Sequence, residues 1–382
     1  MTDDAQRRAW AYLARVAEPP CGPLRALVAD LGPLDAADAV RRRVVPAGYR
    51  AVLEPTEARA DIDSAAEDLA IADRMDARLV TPDDAEWPAW SLLPLGRADT
   101  ASRGGEPLAL WVRGPGRLDD VGAASIGLVG ARAASPYGEH VTTMLAEGLA
   151  IDAWSIVSGA AYGIDGVAHR AALGVGGGTL AVMACGIDRD YPAGHSRLLA
   201  EIADRGVIAT EYPPGTGAAK HRFLTRNRLV AAMSSAVVVV EAGRRSGAAN
   251  TAAWARKLGR PLGAVPGPIT SATSVGCHRM IADHQATLIA DVASAVALAC
   301  PDGADPTPHG HDRPTDTLTP DQQRVHDALP GRGAVTIDEI AYSAGLDTAT
   351  VRAALSVLDL GGHVTTDDGA SWRLVRAPKG AT

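Results

Sequence analysis

The stretch with the sharpest chemical character is residues 215–235, GTGAAKHRFLTRNRLVAAMSS. It gathers Lys220, His221, Arg222, Arg226 and Arg228, with Asn227, around Phe223, the only Phe of the chain, and no acid occurs between Glu211 and Glu241. Cations interleaved with an aromatic ring are the footprint of single-stranded nucleic acid, because the cations hold phosphates while the ring stacks on a base. The plainer alternative is a solvated basic helix start with Phe223 buried. A second group is GARAASPYG, where Gly130, Ala131 and Arg132 lead into a helix start. Free amides there, joined by Arg132, make an anion site suited to phosphate. The loop lacks GxGxxG, and no GxxxxGK[ST] occurs, so a dinucleotide cofactor or nucleoside triphosphatase is poorly supported.

Other reactive residues carry weaker signals. Asp165 and His169, in SGAAYGIDGVAHRAAL, could form an acid/base pair, but a helix cap and a packed histidine holding adjacent loops is the preferred reading. Glu241, Ser246 and Thr251 follow an apolar run and define no Ser-His-Asp arrangement, which leaves capping and loop support. Cys21, Cys185, Cys277 and Cys300 stand singly with no CxxC pair, so reduced thiols are expected, with no zinc or other metal site and no cofactor. His309 and His311 fall in a polar stretch and read as solvated linker residues.

Apolar runs rich in Val, Ile and Ala position these groups. They are SIGLVG (125–130), WSIVSG (154–159), TLAVMACG (179–186), GVIATE (206–211), AVVVVEAG (236–243), PLGAVPG (261–267) and ATLIAD (286–291). Continuous rather than alternating runs mean strands covered on both faces. The expectation is an α/β fold, a doubly wound, Rossmann-like parallel sheet whose ligand lies beyond the carboxyl ends of the strands. Residues 6–45 read as short helices with Gly and Pro breaks, a SAM-like or helix-hairpin-helix module whose Glu18, Asp30, Asp35 and Asp38 disfavour phosphate. After a Pro/Asp/Gly-rich linker, three short helices and the strand-like SWRLV predict a winged helix. The expected domains are a helical module at 1–75, a Rossmann-like domain at 76–300, a linker at 301–318 and a winged helix at 319–376.

The 382 residues carry a formal charge of −8, so a chain coated in positive charge is excluded and any nucleic acid must be held locally. Within 319–376, 5 basic groups (Arg324, Arg332, Arg352, Arg373, Arg376) face 8 acids, which favours protein contact or weak auxiliary DNA contact over sequence reading. The start, MTDDAQRRAWAYLARV, has no apolar core of signal-peptide length and no window reaches the length of a membrane span, so a cytoplasmic protein without membrane association is expected.

Seven motifs in order, LVGARAASPYG, VSGAAYGIDGVAHRAAL, TLAVMACGIDRDYP, ATEYPPGT, FLTRNRLVAAMS, VVEAGRRSGAANTA and AVPG, resemble the DNA-processing protein A family (DprA, also called Smf) over about residues 80–290. The resemblance implies a non-catalytic protein that binds single-stranded DNA, forms a homodimer and loads a RecA-type recombinase during natural transformation. It makes Arg132 a principal phosphate contact, with Gly130 and Ala131 allowing close backbone approach. Phe223, Arg226, Asn227 and Arg228 would line the strand's path or support a base pocket, beside the Lys220 and Arg222 of the basic segment. Many members have Ser at the place of Ala131. Where members commonly carry a DNA-contacting Lys, this chain has Ala193, with His195 or Arg197 as compensating contacts. SVGCHRMIADHQA resembles the self-association region, with His278 and Ile281 at matching positions. Two alternatives remain at this stage. One is a nucleotide-processing enzyme of the related phosphoribohydrolase type with Glu241 as its acid. The other is a transcription regulator reading DNA through the winged helix.

Overall fold

The computed structural model describes residues 4–98, 104–244, 246–300, 318–330, 333–366 and 369–375. Nearly all of the expected linker, together with His309, His311, Arg332 and Arg376, lies outside these residues. The chain divides near residue 306 into two compact units.

The larger unit is built on nine strands: β1 (Ala77–Val80), β2 (Leu110–Arg113), β3 (Ser125–Val129), β4 (Ser155–Ser158), β5 (Thr179–Val182), β6 (Val207–Thr210), β7 (Ala236–Val239), β8 (Leu262–Ala264) and β9 (Thr287–Leu288). Their order is β1-β2-β6-β5-β4-β3-β7-β8-β9. All seven apolar runs form strands, and these pair in parallel from β6 through β9. The antiparallel pair β1 and β2 extends the sheet at β6, an addition the apolar runs do not predict.

Continuous apolar runs are required here because successive side chains point to opposite faces and both faces are covered. On one face Val129, Val237 and Val239 pack under the helices Lys220–Ala232, Gly247–Lys257 and Val275–Ala282. On the other, Ile126, Leu128, Val238 and Val240 pack under Pro136–Ile151, Ile164–Gly174 and Val292–Ala299. Each such side chain contributes about 1.5 to 3 kcal/mol on burial.

The helices of residues 4–75, expected as a helical module at 1–75, fall within the larger unit. Tyr12, Leu13, Leu24 and Leu27 share one core with Trp111, Met183 and Ile208 of the sheet region. The chain thus covers the β2-β6-β5 flank with its own first helices, and Arg15 fastens them by bonds to Asp68 and to the Pro214 carbonyl.

The smaller unit has the helices Pro320–Asp327, Ile337–Ala344 and Thr348–Leu360 and a three-stranded sheet of β10 (Val335–Thr336), β11 (Val364–Thr366) and β12 (Ser371–Leu374), ordered β10-β12-β11. Thr319, Thr336 and Asp347 cap the three helix starts. This is the expected winged helix.

Candidate nucleic-acid interface

The parallel strand order reverses direction of growth between β3 and β7. In an open α/β sheet this switch point leaves a crevice beyond the strand ends, because the two flanking loops turn to opposite faces. A cavity of about 940 Å³ lies there. The loop after β3 supplies Gly130, Ala131 and Arg132, the helix Lys220–Ala232 supplies Lys220, Phe223, Arg226 and Asn227, and the loop and helix start after β7 supply Gly243 and Ser246.

Arg132 is exposed, and its guanidinium stands 5.4 Å from the centre of the Phe223 ring. Phe223 in turn lies 5.3 Å from the Tyr191 ring, tilted by 43°. Lys220 is exposed at the start of the same helix. The arrangement offers two free cations beside two half-open aromatic rings, which suits a phosphodiester with a base stacked alongside. Helical spacing explains the alignment: Lys220, Phe223, Asn227 and Val230 recur every three or four residues and share one face.

The loop that carries Arg132 is braced from the next strand. Gly163 adopts φ 74° at the start of Ile164–Gly174, and a Cβ there would collide with the carbonyls of Ala131 and Arg132. Ile164 N donates to Ala131 O at 3.2 Å. Asp165 accepts from Gly159 N at 3.2 Å and Ala161 N at 3.4 Å, holding the second loop in the cavity wall. Burial raises the Asp165 carboxyl above its usual range and lowers Arg226, each partly opposed by the other's charge.

Several expected contacts are corrected by burial. Arg228 is fully buried and pairs with Glu211 at 2.8 and 2.5 Å, with a further bond to Gly105 O at 3.0 Å, so it faces away from the cavity. Arg226 lines the cavity floor, yet its Nη1 is taken by the carbonyls of Gly159, at 2.7 Å, and Val182. It supports the pocket rather than offering its charge. Asn227 does line the cavity, and its amide donates to Asn250 Oδ1 at 3.1 Å. Arg222 is held by Glu18 at 2.6 and 3.0 Å, and the same carboxylate engages His221 and Arg59. Partial burial pushes Glu18 up, but the bonds and charge of Arg222, then His221 and Arg59, outweigh it and leave the carboxyl below its usual range.

His195 is buried, its Nδ1 3.1 Å from Ala160 O and its ring edge-on to Tyr162, so it is not placed to compensate for Ala193. Arg197 is exposed on the helix Ser196–Arg205 but outside the cavity lining. The free amides expected at the helix start after β3 are already engaged. Ser135 N and Oγ donate to Glu241 at 2.9 and 2.6 Å, Thr273 Oγ1 adds a bond at 2.8 Å, and Gly138 N donates to Ser135 Oγ. Glu241 therefore fills the positive end of Pro136–Ile151 from within.

His169 is fully buried, with Nδ1 2.7 Å from Thr179 Oγ1, and burial, then His195 and Arg226, pushes it down to about 3. It holds strands together and does not face the cavity. His278 and Ile281 lie on Val275–Ala282, both half-buried; His278 Nε2 is 2.8 Å from Gly267 O and Ile281 packs on the core. Tyr191 is the residue that the sequence reading passed over. Its only signal was an aromatic ring just before Pro192 in the third loop. Among the described residues no cluster of metal-ligating groups occurs, and no helix is long and apolar enough to cross a membrane.

Sheet order, two covered faces and the appended winged helix define a Rossmann-like α/β protein with a switch-point cavity. The signature of "DNA recombination-mediator protein A" matches residues 78–299 and that of the "DprA winged helix domain" residues 309–370. The chain belongs to this DprA/Smf family of DNA-processing proteins. It is 52% identical, over 99% of this chain and 96% of the relative, to the putative DNA processing protein DprA of Mycobacterium tuberculosis H37Rv. It is 35% identical to protein Smf of Escherichia coli K12, over 71% and 73% of the two chains. Among solved structures, DprA of Streptococcus pneumoniae superposes with a TM-score of 0.62 at 27% identity, covering 78% of this chain and 98% of that one. A Helicobacter pylori DprA structure, described by its single-stranded DNA binding mode, gives a TM-score of 0.52 at 27% identity, covering 60% and 97%.

Proposed function

We propose that this protein is a single-stranded-DNA-binding recombination mediator. It holds the strand in the switch-point cavity, dimerises through the surface around His278 and Ile281, and loads a RecA-type recombinase during natural transformation in the cytoplasm, without catalysing a covalent step. The observation that carries the reading is the exposed Arg132 and Lys220 beside the Phe223 and Tyr191 rings in one open cavity. The Helicobacter pylori relative, whose structure is described by its single-stranded DNA binding, supports the same ligand. The rival enzymatic reading is disfavoured because Glu241, its proposed acid, is committed to Ser135 and Thr273. The acidic winged helix disfavours the regulator reading.

Two free cations in the cavity give a salt slope of about −1.4 in log affinity against log salt for a strand that fills it alone. Fluorescence anisotropy with a short oligothymidylate tests this. Arg132→Ala should make the slope shallower by about 0.7, and Phe223→Ala should cost about 1 to 3 kcal/mol of stacking with the slope unchanged. Parent-like binding by Arg132→Ala would overturn the assignment. Recombinase loading is tested separately, by the rate of filament formation on strands covered with single-strand-binding protein; no acceleration by the parent protein would remove that part of the proposal.

A further inference from the structure

Beyond the switch-point cavity, a smaller one of about 260 Å³ opens between the helices Gly247–Lys257 and Val275–Ala282. The two cavities share Gly243 and Ala249 as common wall. Three arginines rim the smaller one, Arg244, Arg256 and Arg279, and all are exposed. Its floor is apolar, with Ala252 and Met280.

The charges of this rim are largely uncommitted. Arg256 donates to the neutral Gln285 Oε1 at 2.9 Å, and Arg279 reaches Asp283 only at 3.4 Å in a solvent-exposed pair. Arg244 makes no hydrogen bond or ion pair among the described residues. One carboxylate therefore faces three guanidinium groups. The geometry is fixed by close backbone approach: Gly276 N donates to Ala242 O at 2.7 Å, where a side chain at Gly276 would strike that same carbonyl. This draws the helix bearing Arg279 against the loop bearing Arg244. Gly276, Arg279, Met280 and Asp283 follow helical spacing on the cavity side, whereas His278 and Ile281 fall on the opposite side, clear of it.

We propose that Arg244, Arg256 and Arg279 form a second phosphodiester subsite, which takes the continuation of the same single strand as it leaves the switch-point cavity across Gly243. The inference rests on the strand-binding reading of that first cavity. Phosphates meet the three arginines, and the apolar floor covers sugar or base. Five cations turned to phosphate in place of two, with Arg279 giving up its exposed pair with Asp283, steepen the salt slope from about −1.4 to about −3.5 once the strand is long enough to reach both cavities.

The test uses the full chain with oligothymidylates of about 6 and about 20 nucleotides, one near the lower end of and one beyond the roughly 4 to 16 nucleotides that single-strand grooves cover. Affinity is measured as salt rises fourfold, against the parent, Arg132→Ala and the triple variant Arg244→Ala/Arg256→Ala/Arg279→Ala. The parent should weaken about 130-fold on the long strand and the triple variant about 7-fold, while the two bind the short strand alike. Equal short-strand binding also shows that the triple variant is folded. A triple variant that matches the parent on the long strand, or loses equally at both lengths, overturns the second subsite and leaves the first standing. Arg132→Ala binding the short strand as the parent does would remove the first reading, and this path with it. Abolition of the long-strand increment by millimolar thymidine monophosphate would reassign the pocket to a free nucleotide and overturn the proposal.

Discussion

Replacing Arg228 separates an arginine that holds the fold from one that can hold a ligand. Its side chain is fully buried and gives Glu211 two bonds, at 2.8 and 2.5 Å. Arg228→Ala strands Glu211, itself buried, as an unpaired carboxylate, and breaking a buried pair in this way costs about 3 to 5 kcal/mol. At roughly 2 to 4 °C per kcal/mol the melting temperature of the larger unit should fall by about 10 °C. The double change Arg228→Met with Glu211→Leu removes both charges at similar volume, so it should recover most of that loss. Thermal melts followed by circular dichroism measure both variants. Anisotropy titrations with oligothymidylate at about 50 to 200 mM salt, run below the melting temperature, measure the DNA side. The single variant should melt early yet keep the salt slope of the parent. A variant that melts with the parent but binds with a slope shallower by about 0.7 would refute the reasoning, because Arg228 would then be a phosphate contact.

Glu18→Gln should leave stability within about 1 kcal/mol, since its pair with Arg222 is partly exposed, but free a cation beside the cavity. Steeper salt dependence of strand binding is the expected result, and an unchanged slope would show that Arg222 stays out of reach. His169 is neutral in the folded chain down to about pH 3, whereas the unfolded chain takes up its proton below about 6.5. The folded form therefore loses up to about 1.4 kcal/mol for each pH unit as pH falls from 6.5 toward 3, and the full contribution is present above 6.5. His169→Gln should flatten the dependence of melting temperature on pH across that window; parallel curves for variant and parent would dismiss His169 as the titrating group.

Much of the frame was legible in the sequence because the interior strands are short apolar runs with no polar alternation. AVVV and TLAV are short, carry β-branched residues and run into Gly-rich turns, which favours buried strands over helix. The strands β1 and β2 escaped for a physical reason. ARLV is four residues long and half-exposed at its start, and its pairing with LWVR is a long-range contact that leaves no local periodicity. The candidate site was legible in part. The linear segment 212–240 holds no acid, but Glu18 and Glu211 meet its arginines in space. Which cations stay free is decided by the helical face each occupies and by partners up to 204 residues away, and neither can be counted along the chain. Likewise the helix start after β3 had every mark of an anion site until Glu241, 106 residues on, proved to occupy it.

The core that the first helices share with the sheet sets an order of events during synthesis. The helices Asp4–Val16 and Gly22–Arg41 leave the ribosome before most of the sheet, yet the surfaces they cover include Met183 and Ile208. Their apolar faces wait for roughly 180 further residues, which at about 5 to 20 residues per second is a delay of about 10 to 40 s. For that interval Trp10, Leu13, Leu24 and Leu27 can meet Leu79 and Trp111 but not Met183 and Ile208, so these helices are where a chaperone would meet the nascent chain.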